Sequence, residues 1–167
     1  MPEHLAPDTL NLEEKACLAI HNLTRNVDPK HRYTPYFDAL FQFDPPALNH
    51  HYYWDHCDGT GRAVDALVLA RHMTGSQDNL HIDQKLKDLV LSYIGSKGLC
   101  WIPKTPYRVQ SRPAWRPEPP LAEFWGQRSC LTALLSWHQQ NNDRTLRGHI
   151  DNLIDGLWDI AVKKDFY

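Results

Sequence analysis

Apolar residues recur at helical spacing in three separate stretches of the chain. The first stretch contains Asn11 and Glu14, which are suited to cap and close the start of a helix. Residues 80–94 and 146–162 repeat the same one-sided pattern. One apolar face opposite a polar face is typical of a helix at the protein surface. The apolar positions are Leu12, Ala16, Ala19, Ile20, Leu23 and Val27, then Ile82, Leu86, Leu89, Val90 and Ile94, and finally Ile150, Leu153, Ile154, Leu157 and Ala161.

Two further segments, residues 62–73 and 128–138, are apolar on nearly all sides. This pattern predicts helices that are covered all round. Gly75 stands where a helix commonly ends, and Asn141-Asn142 is a weaker equivalent after the second segment. The order along the chain is therefore outer, inner, outer, inner and outer helix.

The two inner segments are copies within an internal repeat of about 67 residues. Arg62 aligns with Arg128, and His72 aligns with His138. Supersecondary units that repeat in this way bury their apolar faces against one another. We therefore predict one all-α domain over residues 1–167, built as antiparallel hairpins in which outer and inner helices alternate. The predicted units are 10–58 with 59–79, 80–124 with 125–145, and an incomplete unit at 146–167.

The chain is nearly neutral, with 18 basic and 20 acidic residues. This balance argues against a surface for nucleic acids or membranes, because phosphate binding needs clustered Lys and Arg. The first residues lack the apolar core of a signal peptide, and the longest apolar run, residues 66–70, is far too short to span a bilayer. The cysteines lack C-x-x-C spacing and are typical of reduced thiols, so we expect a cytoplasmic protein.

The densest group of chemically active side chains is residues 50–59, which lead directly into the first inner helix. Asp55 and Asp58 are the candidate catalytic residues, either of which could act as an acid–base or substrate-binding carboxylate. Glycosidic cleavage usually needs two carboxyl groups. Because one loop seldom supplies both, the partner would be Glu118, Glu123 or a residue outside this sequence. Alternatively, Asp58 or Thr60 caps the helix and the neighbouring glycines permit the turn. A metal site is disfavoured, because the histidines and the cysteine lack the spacing of metal ligands. We therefore expect neither a metal ion nor another cofactor.

Aromatic and basic side chains near the inner-helix starts are the candidate binding residues. A flat aromatic face suits the apolar face of a sugar ring. The arginines at the two helix starts form structural ion pairs with nearby Asp58 and Glu123, or else they bind an anionic sugar through bidentate contacts. The candidate substrate-binding residues are Tyr53, Trp54, His56, Arg62, Trp115, Trp125 and Arg128.

The helix starts resemble those of the six-hairpin (α/α)6-toroid carbohydrate-active enzymes. The resemblance lies in residues 54–62, Trp-Asp-His-Cys-Asp-Gly-Thr-Gly-Arg, and in residues 124–128, Phe-Trp-Gly-Gln-Arg, with the apolar helices that follow each. It implies that the inner-helix starts and the long links before them, about 28–58 and 95–124, form a sugar-binding funnel. Six hairpins close such a ring, whereas this sequence holds about two and a half, so the resemblance implies the N-terminal portion of a toroid.

Two functions from different classes of protein are compatible with these features. The first is a carbohydrate-active domain, hydrolase-like or lyase-like, with a saccharide as its ligand, because the residue types for both reactions are present. The second is a non-catalytic hairpin module that binds a saccharide or a protein. An incomplete ring leaves an open apolar flank, through which copies of the chain could associate. A cyclase-like toroid is a weaker third alternative, because the sequence contains no clustered acidic tetrad and no Cys/His metal set.

Overall fold

The structure is a computed structural model that describes residues 10–40, 42, 44, 47–50, 56–102 and 121–162. Five α-helices make up most of this part of the chain, which confirms the prediction of a largely helical fold. None of these helices is long and apolar enough to cross a membrane. The helices are α1 (Leu12–Arg25), α2 (His56–Thr74), α3 (Leu80–Leu91), α4 (Phe124–Asn141) and α5 (Arg144–Ile160).

Helix α1 begins as the sequence predicts. The side chain of Asn11 accepts a hydrogen bond from the backbone N–H of Glu14 at 3.2 Å. Its buried positions, Ala16, Ile20 and Thr24, recur every four residues and form one stripe. Helices α3 and α5 also bury one side and leave the other exposed. The one-sided pattern in the sequence therefore corresponds to one buried face in each of these three helices.

The two inner helices, α2 and α4, lie side by side and run in the same direction. Asp58 on α2 accepts a hydrogen bond from Ser129 on α4. One heptad further along both helices, Asp65 accepts a hydrogen bond from Ser136. Because both pairs are offset by the same number of residues, the two helices are parallel and their starts lie at the same end of the protein.

Gly61 lies inside α2 rather than in a turn before it. Helix α2 begins at His56, earlier than predicted, so Asp58 and Thr60 are inside its first turns rather than capping it. A Cβ atom at Gly61 would be only 2.8 Å from the backbone nitrogen of Cys130 on α4. The glycine therefore permits the close approach of two helices. It does not form the turn that the sequence suggested.

Each inner helix leaves one stripe of side chains exposed, so the prediction that these helices are covered all round is wrong. On α2 the exposed stripe contains Arg62, Leu69 and Met73, and on α4 it contains Arg128 and Leu135. Leu69 and Met73 are 53% and 58% exposed. Within the described residues, the neighbouring helices pack against the other sides of α2 and α4. Arg62 and Arg128 occupy equivalent positions of the repeat, so both inner helices present the same face to solvent.

Helix α3 runs antiparallel to α2. Near the start of α2, the hydroxyl groups of Thr60 and Tyr93 are 3.2 Å apart, and Tyr93 lies just beyond the end of α3. Near the end of α2, Arg71 binds Asp83 on α3 through two hydrogen bonds of 2.9 and 2.7 Å. Gly75 has a φ of 65° and follows the last residue of α2, as predicted. A short link therefore joins these two helices.

The first outer helix departs from the predicted antiparallel hairpin with α2. The side-chain amide of Asn79, the residue before α3, donates a hydrogen bond to the hydroxyl oxygen of Thr24 at 3.1 Å. The last turn of α1 therefore lies near the end of α2. An antiparallel hairpin of α1 and α2 would instead place that turn near the start of α2. The closed toroid stays a prediction from the sequence.

The link between α1 and α2 contains a small antiparallel sheet, which the all-α prediction did not include. Arg32 and Tyr33 have φ angles of 59° and 62° and reverse the chain before the second strand. Because positive φ is uncommon for residues other than glycine, the sequence carries no clear signal for this turn. The strands are β1 (Val27–Asp28), β2 (Thr34–Leu40) and β3 (Ala47–His50), paired in that order.

Candidate functional site

The structure describes five of the nine predicted site residues, and all five lie in the first turns of the two inner helices. Because α2 and α4 are parallel, these turns are at the same end of the protein. Asp55, Tyr53, Trp54 and Trp115 lie outside the described residues. His56, Asp58 and Arg62 are in α2, whereas Trp125 and Arg128 are in α4.

The carboxylate of Asp58 is at the centre of this group. Arg62, one turn further along α2, donates its Nε–H to Oδ1 at 3.1 Å, and its Nη2 is 3.0 Å from Oδ2. Arg128 approaches from α4, with Nη2 at 3.4 Å from Oδ1. Ser129, also on α4, donates its hydroxyl hydrogen to Oδ1. We call these four residues the Asp58 cluster, in which one carboxylate joins two arginines and two helices.

The surroundings of Asp58 keep its carboxyl group ionised. Burial raises the pKa of Asp58. The hydrogen bonds from Ser129 and Arg62, with the positive charges of Arg62 and Arg128, outweigh burial and lower the pKa below its ordinary value. A carboxyl group with a lowered pKa is ionised at neutral pH, so it is unsuited to donate a proton as a general acid. The geometry favours a positioning role, in which Asp58 holds the two guanidinium groups.

Replacement of Asp58 by Asn tests the pH dependence of this cluster. Because its pKa is lowered in the folded chain, Asp58 contributes stability above its unfolded pKa and loses that contribution as the pH falls through the folded value. At neutral pH we expect Asp58→Asn to reduce the free energy of unfolding by ~1–2 kcal/mol. In strongly acidic solution the difference from the unaltered chain should vanish. Urea denaturation at neutral and at acidic pH measures this difference in the free energy of unfolding. An equal difference at both pH values would show that the ion pairs of Asp58 are not its cause.

Arg128 pairs with Asp58 rather than with Glu123, the nearby acidic residue that the sequence suggested. Glu123 immediately precedes α4, and Arg128 lies more than one turn inside that helix. Arg128 lies on the exposed side of α4, next to Ser129 at the contact with α2, so its long side chain reaches Asp58 on the other helix instead. The sequence predicted a separate ion pair in each repeat. The structure instead has one carboxylate, Asp58, which the arginines of both repeats share.

Sequence reasoning missed Ser129 as a member of the cluster. The available signal was spacing: Asp58 and Asp65 are one heptad apart, and so are Ser129 and Ser136. Residues one heptad apart lie on nearly the same face of a helix, so two such pairs at one offset predict parallel helices in contact. This signal needs a prior assumption about which helices are neighbours, and the sequence did not supply it.

The two guanidinium groups of the cluster are open to solvent. The side chain of Arg62 is 62% exposed and that of Arg128 is 53% exposed, against 16% for Asp58. Trp125 precedes Arg128 by three residues, so the two side chains are neighbours on α4. Trp125 is 54% exposed. Positively charged donors therefore lie near an exposed aromatic ring, an arrangement that can contact an anionic ligand with an apolar face.

His56 does not take part in this surface. Its side chain, at the first residue of α2, is fully buried. The prediction that His56 contacts a saccharide therefore needs correction, because a buried ring presents no surface to a ligand outside. The error arose because the sequence placed the helix start several residues later, which left His56 in an exposed link.

Three buried cysteines lie near the starts of the inner helices, and two of them have strongly raised pKa values. The hydrogen bond with Cys130 and burial raise the pKa of Cys100 far above its ordinary value. For Cys130, the hydrogen bond with Cys100 lowers the pKa, but Cys57 and burial raise it by more. Neutral thiols are poor nucleophiles and poor metal ligands. In the described part of the chain, no three His, Cys, Asp or Glu residues are grouped so that they could hold a metal ion.

The Asp58 cluster contains two guanidinium groups and one carboxylate, so positive charge exceeds negative charge within it. The positive ends of two helix dipoles lie at the same place, which also favours a negatively charged ligand. The chain matches no protein-family model, and comparisons with curated proteins and with solved structures gave no significant match. The cluster is therefore the main basis for assigning a function.

Proposed function

We propose that this chain is the saccharide-binding portion of a carbohydrate-active, hydrolase-like or lyase-like toroid, and that it binds an acidic saccharide through Arg62 and Arg128. One observation carries the proposal: two exposed guanidinium groups are held together by one carboxylate at the starts of parallel inner helices. A guanidinium group can donate two parallel hydrogen bonds to a carboxylate, which suits a uronic acid.

Asp58 supports this proposal as a positioning residue. Its carboxylate restrains Arg62 and Arg128, so less side-chain entropy is lost when a ligand binds. Because Asp58 balances only one of the two positive charges, the ligand carboxylate can balance the other. Trp125, close to Arg128, offers a flat face for the apolar side of a sugar ring.

The binding proposal is tested by titrating the full chain with a panel of uronic acid trisaccharides in a calorimeter. We expect Arg62→Gln and Arg128→Gln each to weaken binding by about tenfold or more, the loss of a charge-assisted contact. The matched control is Arg147→Gln on α5, because Arg147 is 63% exposed and also pairs with an aspartate four residues away. Unchanged affinity in both cluster variants, or no binding of any acidic saccharide, would overturn the proposal.

Catalysis by hydrolysis or elimination is a separate part of the proposal. Asp58 is held ionised, so the proton donor must be another group, and Asp55 is the candidate that the sequence provides. Mass spectrometry of the saccharide products distinguishes the two reactions, because hydrolysis adds a water molecule and elimination leaves an unsaturated sugar. We expect Asp55→Ala to abolish turnover. Turnover equal to that of the unaltered chain would remove Asp55 from the mechanism.

A second candidate function is self-association through an apolar surface. Phe124, Ile154, Trp158 and Ile160 line a groove of about 570 Å³ between the start of α4 and the end of α5. Phe124 is 71% exposed and Ile154 is 47% exposed. Exposed apolar patches commonly mark protein interfaces, and a second copy of the chain is the partner that we propose here.

Analytical ultracentrifugation over a range of concentrations tests self-association. We expect Ile154→Asp to shift the chain toward monomer, because it places a charge in the apolar groove. The control is Leu18→Asp on α1, another exposed apolar position outside the groove. A chain that stays monomeric at every concentration would contradict this second function, and it would leave the saccharide proposal unaffected.

A further inference from the structure

A large cavity lies at the opposite end of the protein from the Asp58 cluster. It is an open pocket bordered by the end of α2, the start of α3 and the end of α4, and its volume is about 800 Å³. Small-molecule sites typically fall between ~300 and ~1,000 Å³. None of the five predicted site residues that the structure describes lines this cavity. Its size and position make it a separate candidate site.

The wall of the cavity contains a rigid, nearly buried ion pair. Arg71 donates two hydrogen bonds to Asp83, at 2.9 and 2.7 Å, and a third to the backbone carbonyl oxygen of Ser76 at 3.0 Å. The Arg71 side chain is only 5% exposed. These contacts join α2, the link after it and α3, so Arg71 and Asp83 are held in place before any ligand arrives.

The charged groups in the wall are balanced within the protein. Arg71 is paired with Asp83, and Lys87 is 3.3 Å from the carboxylate of Asp143. An anionic ligand would therefore have to compete with carboxylates that are already in place. A purely apolar ligand would leave the polar groups of the wall unpaired, which is costly. Neither a strongly charged nor a purely apolar ligand fits this arrangement.

The remaining polar side chains of the wall supply both donors and acceptors of hydrogen bonds. Gln140 and Asn141 each carry an amide with a carbonyl oxygen and an NH₂ group, and the His72 ring can donate or accept a hydrogen bond. The amide NH₂ of Gln84, which also lines the cavity, already donates to Asp88 at 2.7 Å. Trp137 also borders the cavity, but it is only 5% exposed, so its ring packs inside the protein and offers no face to a ligand. Amide and imidazole groups along one wall suit a ligand with many hydroxyl groups, because each hydroxyl group can both donate and accept a hydrogen bond.

We infer that this cavity binds an uncharged, polyhydroxylated ligand of the size of a short neutral oligosaccharide. The inference does not rest on the proposed function of the Asp58 cluster, because the residues, the end of the protein and the charge of the ligand all differ. The side chains around Arg71 hold the shape of the site, and the amides of Gln140 and Asn141 contact the hydroxyl groups.

The test is a titration of the full chain, followed by NMR, with neutral trisaccharides of glucose in α and β linkage, mannose, xylose and N-acetylglucosamine. We expect at least one to bind, and Gln140→Ala to weaken that binding about fivefold, the loss of one net hydrogen bond. The matched control is Gln139→Ala, because Gln139 is the exposed neighbour on α4 and does not line the cavity. Both glutamines are at the surface, so neither change should alter the stability of the fold.

Two results would overturn the inference: none of the five neutral trisaccharides binds, or Gln140→Ala and Gln139→Ala bind them equally well. Its failure is distinguishable from failure of the Asp58 proposal. Uronic acid trisaccharides test the arginines at one end, and neutral trisaccharides test the amides at the other. Arg62→Gln should therefore leave the binding of neutral saccharides unchanged.

Discussion

Gly61→Ala should destabilise the domain by ~2 kcal/mol or more, even though alanine is the better helix former. A Cβ atom at Gly61 would be 2.8 Å from the backbone nitrogen of Cys130 and closer still to the carbonyl group of Ser129. Backbone atoms of a packed helix cannot turn away as a flexible side chain can, so α2 and α4 must move apart. Overpacking typically costs ~1–3 kcal/mol and occasionally more. Because this contact is with backbone atoms, we expect a cost of ~3 kcal/mol or more, which outweighs a gain of up to ~1 kcal/mol in helix propensity.

Gly148→Ala is the matched control for this substitution. Gly148 is a helical glycine of α5, and a Cβ atom there would have no neighbour within 4 Å. The same chemical change should therefore raise the free energy of unfolding by ~0.5–1 kcal/mol. Chemical denaturation should therefore show a lower free energy of unfolding for Gly61→Ala and a higher one for Gly148→Ala. A Gly61→Ala variant that is as stable as the unaltered chain would show that α2 and α4 are not in close contact.

Gln127→Leu should reduce the free energy of unfolding by ~2–5 kcal/mol, the other large effect that we expect. Gln127 is 2% exposed, and its amide bonds both the N–H and the carbonyl oxygen of Cys100, each at 2.6 Å. Leucine has a similar volume but leaves these two buried backbone groups unsatisfied. The effect should therefore come from lost hydrogen bonds rather than from a cavity.

Gln139→Leu is the control for the loss of a glutamine on the same helix. Gln139 is exposed on α4, so its replacement should change the stability by less than ~0.5 kcal/mol. Denaturation curves of both variants provide the comparison. If Gln127→Leu were as stable as Gln139→Leu, the buried amide would not be what connects α4 to the segment after α3.

The helical part of the fold was largely predictable because its signals are local. The apolar face of α1, its cap at Asn11 and the end of α2 at Gly75 all depend on residues close in sequence. The starts of the inner helices were placed too late, because Gly61 suggested a turn and its actual role depends on a distant helix. The strands β1–β3 were missed because their turn uses two positive-φ residues that are not glycines.

The candidate site was predictable in its residues but not in its arrangement. Asp58, Arg62 and Arg128 were identified from residue type and from their place in the repeat. The sharing of one carboxylate by two arginines depends on the parallel packing of α2 and α4, which no local pattern specifies. Ser129 and Gln127 were overlooked for the same reason, since each acquires its role only from a partner far away in sequence. Hydrogen bonds between distant segments are the part of this structure that sequence periodicity does not encode.

The most direct test of the central claim is an NMR map of the backbone amides of the full chain during titration with a uronic acid trisaccharide. Our account predicts that the largest shifts occur in residues 57–62 of α2 and 124–129 of α4, and that Arg62→Gln and Arg128→Gln reduce them. Added salt should weaken the interaction, because screening reduces the attraction between the guanidinium groups and the ligand. The claim would be contradicted if the largest shifts lay outside the starts of α2 and α4, or if the two arginine variants bound the acidic saccharide as well as the unaltered chain does.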